Sequence, residues 1–148
     1  MPQHPELDRF ALRLTRLAGR PRNRAFIDEK RVTPDQEPEA LSERAEKVVA
    51  ETAGRIRAAK QSGRPVVLAF GAHTIKNGAG PLLIDFMEAG LVDHLATNGA
   101  GVIHDWEFAF QGMTSEDVGT NTAKGLFGTW EETGFYINLA IIVGAYEG

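Results

Sequence analysis

Two short apolar runs, each closed by a glycine-rich loop and followed by a helical pattern, constrain this chain most. Pro65-Val66-Val67-Leu68-Ala69-Phe70 is continuous and apolar, the pattern of a strand buried on both faces. The loop Gly71–Gly80 follows, then a helical stretch over Pro81–Ala89 with Leu82, Leu83, Phe86 and Met87 turned inward. A second strand over Leu91–Thr97 ends in the tight loop Asn98–Gly101, and Val102–Gln111 continues as a helix. Strands alternating with helices imply right-handed βαβ crossovers and a parallel sheet.

The flanks are less regular. Glu6–Ala18 places apolar residues on one helical face and is read as a short helix ended by Gly19 and Pro21. Pro21–Glu37 is charged and interrupted by proline, an irregular linker or an arm reaching a partner subunit. Pro38–Gln61 is a long helix, with a stripe from Leu41 through Val48, Val49 and Ile56 to Ala59 and a stop at Ser62-Gly63. Thr114–Asp117 reads as a cap or turn, and Phe127–Tyr146 as a final helix with a glycine-broken middle. Residues 1–37 thus form an N-terminal helix and arm, and 38–148 a nucleotide-binding-like α/β domain. Two strands make a poor sheet. The apolar ending at Gly148 also predicts a domain truncated at its C-terminus, with the sheet completed elsewhere.

Composition narrows the chemistry. There is no cysteine, so thiolate nucleophiles, disulfides and cysteine-ligated metals are excluded. The net charge of −4 comes without a basic block, which argues against nucleic acid. No apolar run reaches the ~20 residues of a membrane span, and the N-terminus lacks the apolar centre of a signal peptide, so the expectation is a cytoplasmic protein without membrane contact.

Ligands of open parallel sheets bind beyond the carboxyl ends of the strands. The first loop offers Thr74, Lys76, Asn77 and Gly78 there, and the second offers Thr97, Asn98, Gly99, Ala100 and Gly101. His104 and Asp105 fall in the first turns of the following helix, with Glu107 close behind, and are the candidate catalytic groups. Neither GxGxxG nor GxxxxGK[ST] occurs. His73, His94 and His104 lack the HxxxH or HExxH spacing of a helical metal site, so no metal is expected. No GxSxG elbow supports a serine nucleophile. Lys76 reads as a solvated loop lysine, with a Schiff-base role as the alternative.

From Val66 to Phe110 the chain resembles the deoxyhypusine synthase group, a nicotinamide-dinucleotide-binding fold without the usual fingerprint. The second loop of that family has the form T-x-A-G-G-V-E-E-D. Thr97, Gly101, Val102 and Asp105 match it, and Gly99-Ala100 exchanges the family's A-G. Ile103 and His104 stand where the family has paired glutamates, associated there with cofactor and polyamine binding. The resemblance implies a Rossmann-like parallel sheet flanked by helices, NAD as cofactor, and oxidation of a small amine through an imine that a second amine attacks, such as a protein lysine. It also implies a homo-oligomer, a tetramer with sites at subunit interfaces, and a catalytic lysine beyond Gly148. An NAD-dependent ornithine cyclodeaminase is a related reading, and a non-catalytic ligand-binding domain of the same fold is another.

Overall fold

The computed structural model describes residues 6, 8–21 and 23–148. Two 3-10 turns, Arg9–Ala11 and Leu17–Gly19, precede strand β1 (Ala25–Phe26) and a single helical turn α1 (Ile27–Lys30). Helix α2 (Glu43–Gln61) leads to β2 (Val67–Phe70), α3 (Ala72–Lys76) and α4 (Gly80–Glu88). Then come β3 (His94–Thr97), α5 (Gly99–Gln111), β4 (Met113–Thr114), α6 (Val118–Ala123) and α7 (Glu131–Glu147). The fold is α/β and mainly helical.

β2 and β3 pair in parallel, with Val67 opposite His94 and Phe70 opposite Thr97, so α3 and α4 form the expected crossover. This sheet has two strands among the described residues. A small antiparallel pair, Ala25 with Thr114 and Phe26 with Met113, was not foreseen. Two-residue strands leave almost no period-2 pattern to read. The core gathers Ala25, Ile75, Leu83 and Phe108, with Ile27, Leu68, Phe70 and Leu95 packed against it.

Several boundaries move for local reasons. The helix expected over Glu6–Ala18 is absent where it is described: its 3-10 turns flank extended chain, and Leu7 of its apolar face lies outside the described residues. Instead, Thr15 bridges to Trp130: its N–H donates to the Thr129 carbonyl at 2.8 Å, and its own carbonyl accepts from Glu131 N at 2.9 Å. Leu17 is buried, and its N–H donates to the Glu132 carboxylate at 2.6 Å. Residues of the stretch expected as a linker or arm also lie against their own chain: Arg24 N donates to the Ser115 carbonyl and Ile27 N to the Gly112 carbonyl, each at 2.9 Å. α2 starts at Glu43, five residues after Pro38, because the Ser42 hydroxyl caps Ala45 N at 3.3 Å. Its apolar stripe is largely exposed, with Val48 and Val49 both 56% accessible. β3 is shorter than Leu91–Thr97 because Asp93 accepts from Val66 N at 2.8 Å and from Lys60 Nζ at 2.5 Å, which holds the strand's approach as a loop. The loop Gly71–Gly80 contains the turn α3, and Asn98–Gly101 is the cap and first turn of α5. The final helix begins at Glu131, and α6 lies between the expected cap or turn and the final helix, in a stretch for which the sequence predicts no element.

Candidate functional site

The junction between β3 and α5 explains most of the second loop. Asn98 takes the N-cap position, and its Oδ1 accepts from Gly101 N at 3.0 Å. Thr97 Oγ1 donates to the Phe70 carbonyl at 3.1 Å, tying the end of β3 to the end of β2. A Cβ on Gly101 would lie 2.3 Å from Thr97 Oγ1, so only glycine lets α5 start this close to the strand. Thr97 and Asn98, with Gly71 and Ala96, line a shallow cleft at the strand ends. A Cβ on Gly71 or Gly99 would meet nothing within 4 Å.

The first loop divides differently. Gly78 has φ +88, and a Cβ there would sit 1.7 Å from the Lys30 carbonyl oxygen. Its own carbonyl accepts from Val32 N at 2.9 Å, so this glycine serves chain packing. Thr74 is half-buried and Asn77 exposed, and neither lines the cleft or the cavity described next.

A second, larger cavity of about 520 Å³ is bordered by α5. Ala100, Ile103, His104 and Glu107 present one helical face to it, at spacings of three and four residues. α3 contributes His73 and Lys76. Ile103, Val118, Phe127, Trp130 and Ile137 supply apolar wall. Of the residues singled out in the sequence, the cavity brings together Lys76, Ala100 and His104. Asp105 is exposed and lines neither recess, since one residue along a helix turns a side chain by about 100°.

Beneath the cavity lies a buried ionic network. Arg20 grips Glu107 with both terminal nitrogens, each at 2.7 Å. The two side chains are 2% and 1% exposed. Thr133 Oγ1 donates to Glu107 Oε1 at 2.9 Å, and Thr114 Oγ1 donates to Oε2 at 2.6 Å. Four donors on two oxygens leave no room for a proton, so Glu107 is a carboxylate. Arg20 also donates from Nε to Asn23 Oδ1 at 2.7 Å and stacks over Trp130, 5.5 Å from the ring centroid.

This network fixes the tautomer of His104. Thr114 has one hydroxyl hydrogen, and Glu107 takes it. The Thr114 oxygen must therefore accept from His104 Nδ1, 2.8 Å away. Nδ1 carries the proton in the neutral ring, and Nε2 keeps a free lone pair with no partner among the described residues. Burial pushes the imidazole below its ordinary pKa. The Glu107 carboxylate opposes that shift, while Lys76, His73 and Arg20 add to it. The result is a neutral, oriented base at a cavity wall.

Sequence reading missed Arg20, Thr114, Trp130 and Thr133. No local pattern marks them, because they meet only through packing of the N-terminal segment, β4 and α7 onto α5. Two further features border the site. Ser115, a cavity residue, is left-handed at φ 67, with its carbonyl held by Arg24 N at 2.9 Å. Asp117 caps α6 through Thr120 N and accepts from Arg24 Nη2 at 2.5 Å, and Arg24 first and that cap second hold its pKa down at about 2. Among the described residues, no group of three or more acidic or histidine side chains is placed to hold a metal ion. Among them, too, no helix is long and apolar enough to cross a membrane.

Comparison with protein-family models, with curated proteins and with solved structures gives no match in any of the three.

Proposed function

We propose that this chain is an NAD-dependent amine-oxidising enzyme domain of the deoxyhypusine synthase type, with His104 as its base. One observation carries the reading. An imidazole with a fixed free nitrogen sits at a cavity wall, on the same helix that opens the strand-end cleft. Asn98 at the cleft and His104 at the cavity are six residues apart, about 9 Å of helix rise.

The residues of the cleft fit a dinucleotide. Open space over Gly71 and Gly99 lets a ligand approach backbone closely, and Thr97 and Asn98 are hydrogen-bonding groups at the floor. The amides of Gly99 and Ala100, in the first turn of α5, lack intrahelical partners and favour a phosphate. The chemistry the dinucleotide would supply is acceptance of hydride from the carbon bearing the amine, which leaves the substrate as an imine. His104 Nε2 takes a proton from the ammonium first, since only the neutral amine can release hydride. Thr114 and Glu107 hold the ring in the tautomer this requires. Apolar wall from Ile103 and Trp130 limits water beside it.

The same reading carries association with further copies of the chain. The accessible surface is 11296 Å², against about 7,400 Å² for a compact monomer of this mass. α7 leaves Phe135, Leu139, Ile141 and Ile142 at least 43% exposed. A second copy seated on this helix would cover such a surface, and the excess exceeds the ~800 Å² per partner of a standard interface.

Calorimetric titration with NAD tests the cofactor assignment. The unaltered protein should bind it and Gly71→Trp should not, because the new side chain enters the cleft without a clash at its Cβ. An unaltered, folded protein that fails to bind NAD refutes the reading. His104→Gln should retain binding and lose about 10²–10⁴-fold in amine-dependent NAD reduction.

A further inference from the structure

The polar groups around the 520 Å³ cavity are unequally used. Both of its carboxylates are already engaged. Glu107 accepts four hydrogen bonds, two of them from Arg20, which also cancels its charge. Glu116 accepts from Asn121 Nδ2 at 2.8 Å through one oxygen and from Gly128 N at 3.1 Å through the other. Three of the donors are in the opposite state. The side chains of Lys76 and His73 have no hydrogen-bond or ion-pair partner among the described residues, and both residues border the cavity from α3. Trp130 is 4% exposed, and its Nε1–H is buried without an acceptor.

A polyamine needs several free acceptors and offers only donors. It would face the Lys76 ammonium as a like charge. A carboxylate supplies the acceptor that Lys76 lacks, and a short aliphatic body suits the wall of Ile103, Val118, Phe127 and Ile137.

We propose that the cavity takes a small aliphatic amine that also carries a carboxylate, bound by Lys76 and His73, with its amino group turned to His104 Nε2. This rests on the cavity being the substrate site of the enzyme proposed above. It assigns Lys76 to the substrate and leaves the strand-end cleft to the cofactor.

The test is calorimetric titration of the full chain without dinucleotide. The probes are 5-aminopentanoate and putrescine, which share an amine and a four-carbon body and differ in the carboxylate. 5-Aminopentanoate should bind at least about tenfold more tightly than putrescine, and Lys76→Met should weaken it about tenfold to hundredfold. Lys76→Arg should restore most of the affinity. The Lys76→Met change should leave the unfolding midpoint unmoved, because the side chain has no partner to lose. Equal or tighter binding of putrescine overturns the proposal, as does 5-aminopentanoate binding indifferent to Lys76→Met, or no binding of either probe. Since NAD is absent, the two readings fail separately. A protein that binds 5-aminopentanoate through Lys76 but never binds NAD loses the cofactor assignment alone. One that binds NAD but prefers putrescine loses the carboxylate assignment alone.

Discussion

Replacing Glu107 by glutamine tests the network that orients His104. The side chain keeps its size and loses its charge. Arg20, 2% exposed at its side chain, is then a buried cation without a counter-ion. Breaking such a pair from one side costs about 3–5 kcal/mol. The hydrogen bonds agree in size. Four donors now converge on the carboxylate, and in the amide one of the two oxygens becomes a donor itself. The two groups that pointed at that oxygen lose their acceptor. The threonine hydroxyls can rotate away, but the guanidinium N–H cannot, and an unsatisfied buried donor costs about 1–3 kcal/mol. Against a total stability of about 5–15 kcal/mol this is a large fraction. A melting temperature lower by about 6–20 °C is expected for a chain of this length. Urea unfolding followed by circular dichroism gives the free energy. The double variant Arg20→Met/Glu107→Leu removes both charges and should cost less than Glu107→Gln alone. A single-variant cost below about 1 kcal/mol would refute the picture, and so would a double variant costing the sum of the two singles.

The remaining predictions follow from the same geometry. His104 has a lowered pKa, so the unfolded chain takes up this proton first on acidification. Stability should fall from the ordinary histidine value down to the folded one and level off below it, and His104→Gln should remove that step from the pH dependence of the urea midpoint. Amine-dependent turnover should rise with pH through a pKa below the ordinary histidine value; a rise centred above it would contradict the assignment. Asp117, held down at about 2, stabilises the fold above the ordinary carboxylate range and loses that contribution as pH falls toward 2; Asp117→Asn should flatten the acid limb of the unfolding curve. Gly78→Ala should cost more than about 2 kcal/mol, from its left-handed backbone and the clash with Lys30. Gly99→Ala, with open space around its Cβ, should be neutral or stabilise by up to about 1 kcal/mol, and equal effects in the two urea curves would contradict the division of the glycines. Ile141→Glu and Ile142→Glu should shift sedimentation toward the monomer without lowering the helix content.

The βαβ unit was legible because its signals are local. A continuous apolar run marks β2, and glycine or serine marks the ends of α2, α4 and α5. The N-terminal segment was not legible for the opposite reason. Its apolar spacing suits a helix, yet the chain gains more by bonding Thr15 and Leu17 to the start of α7, over 110 residues away in sequence. No window of sequence contains that choice. The stripe of α2 shows another limit. Periodicity established that one face is apolar, but Val48 and Val49 remain exposed, so it did not establish what covers that face.

At the site, spacing along α5 carries part of the arrangement and packing from outside that helix carries the rest. Beside His104 the sequence offers two acids, Asp105 as the candidate catalytic group and Glu107 close behind it. The structure separates them. Along α5, Gly101, Glu107 and Phe108 are the buried positions, and His104 falls on their side at spacings of three and four residues. Asp105 lies about 100° away and is exposed. A helical wheel anchored on Gly101 does not select Glu107, which stands about 120° from that glycine while Asp105 stands about 40° from it; the donors that Arg20, Thr114 and Thr133 bring from outside α5 do. Arg20 could not be found that way, because its position depends on the irregular segment. A buried carboxylate thus predicts the existence of its partner more readily than the partner's place in the chain.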